Sequence, residues 1–205
     1  EYYKDDDSEQ WKFDIAANVQ AICEEEIVKV FELTKQLVPE TDNCVYMGGV
    51  ALNCVANSII ARDHYPNLWI LPNPGDAGSS LGCAAYVFGE HINWTSPFTG
   101  YDITGRYPRK KVLNELLKGN IVGVANGRAE FGPRALGNRS LLADPRGHEI
   151  KDRVNEIKHR QKFRPFAPSV LEEYAHEIFD MPVKKSQFMQ FVAPCKFPDK
   201  YPAIC

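Results

Sequence analysis

The sequence predicts an α/β fold, and three observations carry that expectation. Short apolar runs of strand length alternate with stretches of helical periodicity. Glycine-bearing turns follow two of the strand-like runs directly, and no repeat or low-complexity tract interrupts the order. With 205 residues, 44% of them hydrophobic and 25% charged, the chain can build one large or two small cored domains. That composition excludes collagen, coiled coil and wholesale disorder.

In chain order, residues 13–37 read as one long helix. Ile15, Val19, Ile22, Ile27, Val30, Phe31, Leu33 and Leu37 fall mainly at helical spacing, and Pro39 stops it. Residues 43–47 read as a short buried strand that runs into Gly48-Gly49, and residues 50–61 as a helix rich in Ala, Val and Ile. A second strand over 68–71 closes with Pro72-Asn73-Pro74-Gly75-Asp76, before a small-residue helix over 77–88. Residues 93–108, with Pro97, Gly100, Gly105 and Pro108, read as a linker. Beyond it the expected elements are a helix over 110–117, a strand over 121–125, a Gly/Arg-rich stretch over 126–146 and a charged helix over 148–158. A strand over 166–171, a short helix over 172–179 and a last strand over 186–194 complete the reading.

Charge divides the chain. Residues 1–100 hold 5 Lys+Arg against 15 Asp+Glu, and residues 101–205 hold 19 against 12, within a net charge of −3. Two halves of opposite sign predict two units, the second handling an anion. No apolar run approaches the roughly 20 residues that span a bilayer, and the start has no signal-peptide core, so a soluble protein without a membrane partner is expected. Six cysteines without C-x-x-C spacing suit buried thiols in a reducing compartment, which makes the cytoplasm the expected location. The five histidines form no H-x-x-x-H or H-E-x-x-H pair, and no Walker A loop, G-x-S-x-G elbow or Cys nucleophile signature occurs. What remains is anion and nucleotide binding without a covalent nucleophile.

The richest segment is residues 126–140, directly after a strand. Its glycines allow close backbone approach, while Arg128, Arg134 and Arg139 supply planar forks for phosphate oxygens. Arg146, Lys151, Arg153, Lys158, Lys162 and Arg164 extend the positive field. A solvated basic loop or a nucleic-acid patch is the competing reading, disfavoured because Arg alternates with Gly rather than with aromatics. Gly48-Gly49 lies between a strand and a helix start, where free N–H groups can receive a nucleotide, although a plain tight turn has the same pattern. Asp76 at a helix start is either an N-cap or an oxygen ligand for Mg²⁺, Mn²⁺ or Fe²⁺.

These residues resemble a family. Gly48-Gly49-Val50-Ala51-Leu52-Asn53-Cys54-Val55-Ala56-Asn57, Pro74-Gly75-Asp76-Ala77-Gly78, the stretch from Gly127 to Ser140, Leu142-Ala143-Asp144-Pro145-Arg146, Lys151-Asp152-Arg153-Val154-Asn155 and Phe163-Arg164-Pro165-Phe166-Ala167-Pro168-Ser169 are similar to the O-carbamoyltransferases of nodulation-factor and antibiotic biosynthesis. The resemblance covers residues 14–205, in order and near family spacing. It implies that residues 1–92 are a C-terminal lobe piece of an actin/Hsp70-like ATPase fold. Residues 93–108 would be the linker, and residues 109–205 a YrdC-like α/β domain truncated at its C-terminus.

The implied activity is ATP-dependent: carbamoyl phosphate and ATP give carbamoyl-adenylate, and the carbamoyl group then passes to the hydroxyl of a small-molecule acceptor. The resemblance assigns Asp76 to a divalent metal, Fe²⁺, in the transfer site, and Gly48, Gly49 and Asn53 to the nucleotide side. It assigns Arg128, Glu130, Gly132, Arg134, Gly137, Arg139 and Ser140 to the adenylate-forming pocket, with Lys151, Lys162, Arg164 and Ser169 beside them. There the arginines would neutralise phosphate charge, and Glu130 would orient an arginine or bind Mg²⁺. The family's H-x-x-x-H helix and its His-Val-Asp-Gly segment are missing from the sequence. The expectation is therefore an incomplete transferase whose N-terminal lobe is supplied in cis or in trans. The alternative is a non-catalytic nucleotide- or anion-binding subunit.

Overall fold

The computed structural model describes residues 10–205, so the acidic start lies outside the described residues. The first helix, α1, runs over Gln10–Leu37. Two strands follow, β1 (Asn43–Tyr46) and β2 (Asn67–Ile70), which pair in parallel with Asn43 opposite Asn67 and Tyr46 opposite Ile70. Parallel strands need a crossover, and helix α2 (Cys54–Asp63) supplies it. Alternation sends Cys44, Tyr46, Leu68 and Ile70 to one face, where they meet Ile27 and Phe31 of α1 and Ile60 and Ala61 of α2. Phe31 lies edge-on to Tyr46 at 5.1 Å and to Tyr65 at 5.8 Å, so Phe31→Ala would remove the centre of this core at a cost of about 3–5 kcal/mol.

The helix expected over 50–61 is broken at Asn53. Gly49–Leu52 is a 3-10 turn, and the Asn53 side chain accepts the Ala56 N–H at 3.2 Å, capping α2. The helix expected over 77–88 is likewise a 3-10 turn, Asp76–Gly78, leading into α3 (Ser79–Phe88).

Residues 98–103, expected in the linker, form strand β3 (Phe98–Ile103). Its partner is distant in sequence, so local periodicity gave no sign of it. After α4 (Arg109–Leu117) come β4 (Val122–Ala125), β5 (Gly127–Glu130) and β6 (Arg139–Leu142). β3 pairs antiparallel with β5, and β4 antiparallel with β6. The Gly/Arg-rich stretch therefore contains two strands. Helices α5 (Ile150–Ile157) and α6 (Glu172–Ile178) follow. Ile150, Val154 and Ala203 form a second, smaller core with Ile121, Ala143 and Phe166 against it.

Two expected strands are absent. Residues 166–171 and 186–194 are irregular, and side chains rather than a ladder engage the second segment. Asn57 Nδ2 donates to the Gln190 carbonyl at 3.0 Å, Ser58 Oγ bonds both N–H and C=O of Val192, and Gln190 Nε2 donates to the Ile70 and Leu71 carbonyls. Val183 and Phe191 thereby join the first core. The architecture is mixed α/β, with small two-stranded sheets. Among the described residues no helix is long and apolar enough to cross a membrane.

Candidate functional site

Because β1 and β2 run in parallel, the turns that leave them emerge at the same edge, the place where open α/β sheets receive ligands. The Gly48 N–H donates to the Pro74 carbonyl at 2.8 Å, tying the two turns together. A third loop, residues 131–138 between β5 and β6, reaches the same place. Gly132 has φ of +148°, and a Cβ there would stand 2.7 Å from the Pro72 carbonyl oxygen, so only glycine lets this backbone lie on that turn. The structure thus brings Gly48, Gly49, Asp76 and Gly132 to one edge, three segments far apart in sequence.

Asp76 is exposed there. It caps neither α3 nor the turn before it, since those cap positions are Gly78 and Gly75, which removes the N-cap alternative. Its carboxylate is the correct donor type for a hard divalent cation. Among the described residues, no three His, Cys, Asp or Glu side chains come together as a metal site.

Within the arginine loop the predicted residues divide into frame and free charge. Glu130 Oε1 accepts the backbone N–H groups of Leu136 and Asn138, each at 2.8 Å, and of Arg139 at 3.2 Å. Burial pushes the Glu130 carboxyl up, but these donors and its own N–H outweigh that and hold it below the usual carboxylate value. Glu130 organises backbone here, and among the described residues no hydrogen bond or ion pair joins it to an arginine side chain. Arg139 Nη1 donates to the carbonyls of Asn126, Gly127 and Asn138, and Nη2 to that of Tyr101 at 2.9 Å, pinning β3, β5 and β6 together. Its fork is occupied by carbonyls of the protein. Ser140 Oγ accepts the Gly137 N–H at 3.0 Å. Arg128 and Arg134, by contrast, are exposed, and neither guanidinium has a protein partner among the described residues.

Asn53 is likewise bonded within the protein. Besides capping α2 it exchanges amide hydrogen bonds with Gln20 of α1, at 3.0 and 3.1 Å, so its side chain is engaged within the protein.

Lys151, Lys162, Arg164 and Ser169 lie on α5 and the chain after it. Lys162 Nζ approaches Asp152 at 3.8 Å and Glu156 at 3.6 Å. An open hollow of about 690 Å³ is lined by Glu156, His159, Arg160, Gln161 and Arg164. Two organising residues escaped sequence reasoning. Asn155 is fully buried, and its Nδ2 donates to the carbonyls of Lys162 and Arg164, each at 3.1 Å. Arg160 stacks on Phe166 at 4.3 Å and donates to Asn155 Oδ1 and the Pro165 carbonyl. The available signal was Asn155 itself, an amide beside Val154 on the apolar face of a charged helix.

Two family descriptions match the chain in the order of its two halves. Residues 2–85 match the carbamoyltransferase N-terminus, and residues 113–205 match the carbamoyltransferase C-terminus. The chain belongs to the carbamoyltransferase family. This carbamoyltransferase chain is 34% identical over 210 residues to nodulation protein NolO of Bradyrhizobium diazoefficiens, covering 87% of the chain and 38% of that protein. It is 35% identical over 185 residues to the 3'-hydroxymethylcephem-O-carbamoyltransferase of Amycolatopsis lactamdurans, covering 79% of the chain and 35% of that enzyme. Nodulation protein U of Azorhizobium caulinodans is 37% identical over 180 residues, covering 79% and 32%. The chain spans about a third of the length of the curated relatives it matches.

Proposed function

We propose that this chain is part of an ATP-dependent O-carbamoyltransferase, and that its arginine loop receives the phosphates of carbamoyl phosphate and ATP. In this reading carbamoyl-adenylate forms first, with Mg²⁺ accompanying ATP, and the carbamoyl group is then transferred to a hydroxyl of a small-molecule acceptor. The finer assignment is an actin/Hsp70-like piece over residues 1–92 and a YrdC-like piece over residues 109–205, acting in the cytoplasm.

One observation carries the reading. Two exposed guanidiniums without partners among the described residues, Arg128 and Arg134, stand on a frame built by Glu130 and Arg139, and Gly132 seats the loop between them against the turn that leads to Asp76. A polyanion is the ligand class that such an arrangement fits, because unpaired planar forks bind phosphate oxygens bidentately. The work proposed for the chain's own side chains is to bind and orient phosphate while the frame stays rigid. Asp76 is proposed as one ligand of a divalent site, Fe²⁺ in the family, whose other ligands come from outside this chain.

The test is thermal shift of residues 1–205 with ATP and with carbamoyl phosphate, beside a carbamoylation assay over a hydroxyl library. A ligand at a hundred times its dissociation constant stabilises by about 2.7 kcal/mol, which a melting curve resolves. Stabilisation without product is the expected pair of results. No shift with either ligand would sink the phosphate assignment, and product from this chain alone would sink the incomplete-transferase reading.

A further inference from the structure

Helix α1 is apolar on two faces. Ile27 and Phe31 turn one face toward the β1–β2 core. A second stripe, Ile15, Val19, Ile22, Val30, Leu33 and Leu37, follows helical spacing along a flank roughly 100° away and covers roughly 33 Å of its length. Every member of it is exposed, with Val19 and Ile22 each at 61% and Leu37 at 73%. Glu26 interrupts the stripe, and Lys29 pairs with it and with Glu25, each at 2.8 Å. Lys29 thereby offsets one of these two negative charges. The outer face of the parallel pair is bare in the same way: Val45 and Trp69, opposite each other in register, are 69% and 45% exposed.

Helices apolar on two faces are interior helices, and parallel sheets are normally covered on both sides. Among the described residues, α1 and the β1–β2 pair are layers each covered on one side only. Its relatives carry roughly twice as much polypeptide again outside the region they share with it. We propose that the Ile15–Leu37 stripe of α1 is the docking surface for that remaining carbamoyltransferase polypeptide, which covers it with an apolar face of its own. This rests on the transferase reading and deepens it, since it names where the rest of the enzyme attaches.

The experiment compares side-chain labelling by hydroxyl radicals, read by mass spectrometry, in two settings. One is residues 1–205 alone. The other is a fusion in which they replace the similar region of Azorhizobium nodulation protein U, or the same two polypeptides mixed if the fusion does not fold. The expected result is at least fivefold protection of Val19, Ile22, Leu33 and Leu37 in the presence of the additional polypeptide. The double variant Ile22→Asp/Leu33→Asp is expected to leave the melting temperature of the isolated chain within a few degrees while abolishing that protection at Val19 and Leu37. Equal labelling in both settings overturns the proposal, as does protection in the isolated chain that tracks with a dimer in light scattering, which would make a second copy the occupant. The ATP-induced thermal shift of the isolated chain separates the two readings. If it persists while protection fails, docking is wrong and the transferase reading stands.

Discussion

Gly132 and Pro72 touch through their backbones: a Cβ on Gly132 would stand 2.7 Å from the Pro72 carbonyl oxygen. Through this contact the arginine loop of one half of the chain is seated on the turn that carries Asp76 in the other. Gly132→Ala must therefore displace one of the two segments and hold a side chain at φ +148°, which costs on the order of 1–3 kcal/mol. Urea denaturation checks the stability, and titration with ATP the loop. Unchanged values in both would mean that the contact is dispensable.

Arg134 and Arg139 are expected to separate cleanly. Arg134→Ala removes an exposed guanidinium without a partner among the described residues, so stability should stay within about 0.5 kcal/mol while phosphate-ligand affinity falls by about 1.5–3 kcal/mol. Arg139→Ala removes one donor from each of four carbonyls of β3, β5 and β6 and their connections, and should lower stability by about 1–3 kcal/mol. Paired calorimetric titration and thermal melts read both effects. Equal behaviour of the two variants would contradict the division between frame and free charge.

The Glu130 carboxyl sits below its ordinary value of 4.5 because backbone N–H groups bond its charged form. The folded value is depressed, so the stability it contributes is present above pH 4.5 and is lost as pH falls through the lower folded value. The difference in unfolding free energy between the wild type and Glu130→Gln should be flat above about pH 5.5 and shrink on further acidification. A difference that grows toward low pH would refute the assignment.

Gln190 joins the C-terminal segment to the end of β2 through the Ile70 and Leu71 carbonyls. Gln190→Ala leaves both carbonyls without this donor at a largely buried position and should cost about 1–3 kcal/mol. Hydrogen exchange is the direct check, with faster exchange expected at Val192, whose N–H bonds Ser58, and in β2. Uniform exchange rates would show that the latch does not hold these segments together.

Local order was legible in the sequence because it depends on near neighbours. The periodicity of residues 13–37 gave α1, the glycine pair after residues 43–47 gave the first turn, and Arg alternating with Gly marked the segment where Arg128 and Arg134 stand exposed. The elements missed or misread depend on distant partners. Strand β3 exists because β5 pairs with it, and residues 186–194 stay irregular because Asn57 and Ser58 engage their backbone in place of a ladder. Tertiary structure also divided residues of one chemical type between two roles. Nothing in the sequence distinguishes Arg139 from Arg134, and only the carbonyls gathered around Arg139 make it a clamp. A side chain's chemistry is written in its residue type, but whether its hydrogen-bonding groups remain available for a ligand is decided by what the fold places within about 3 Å of them.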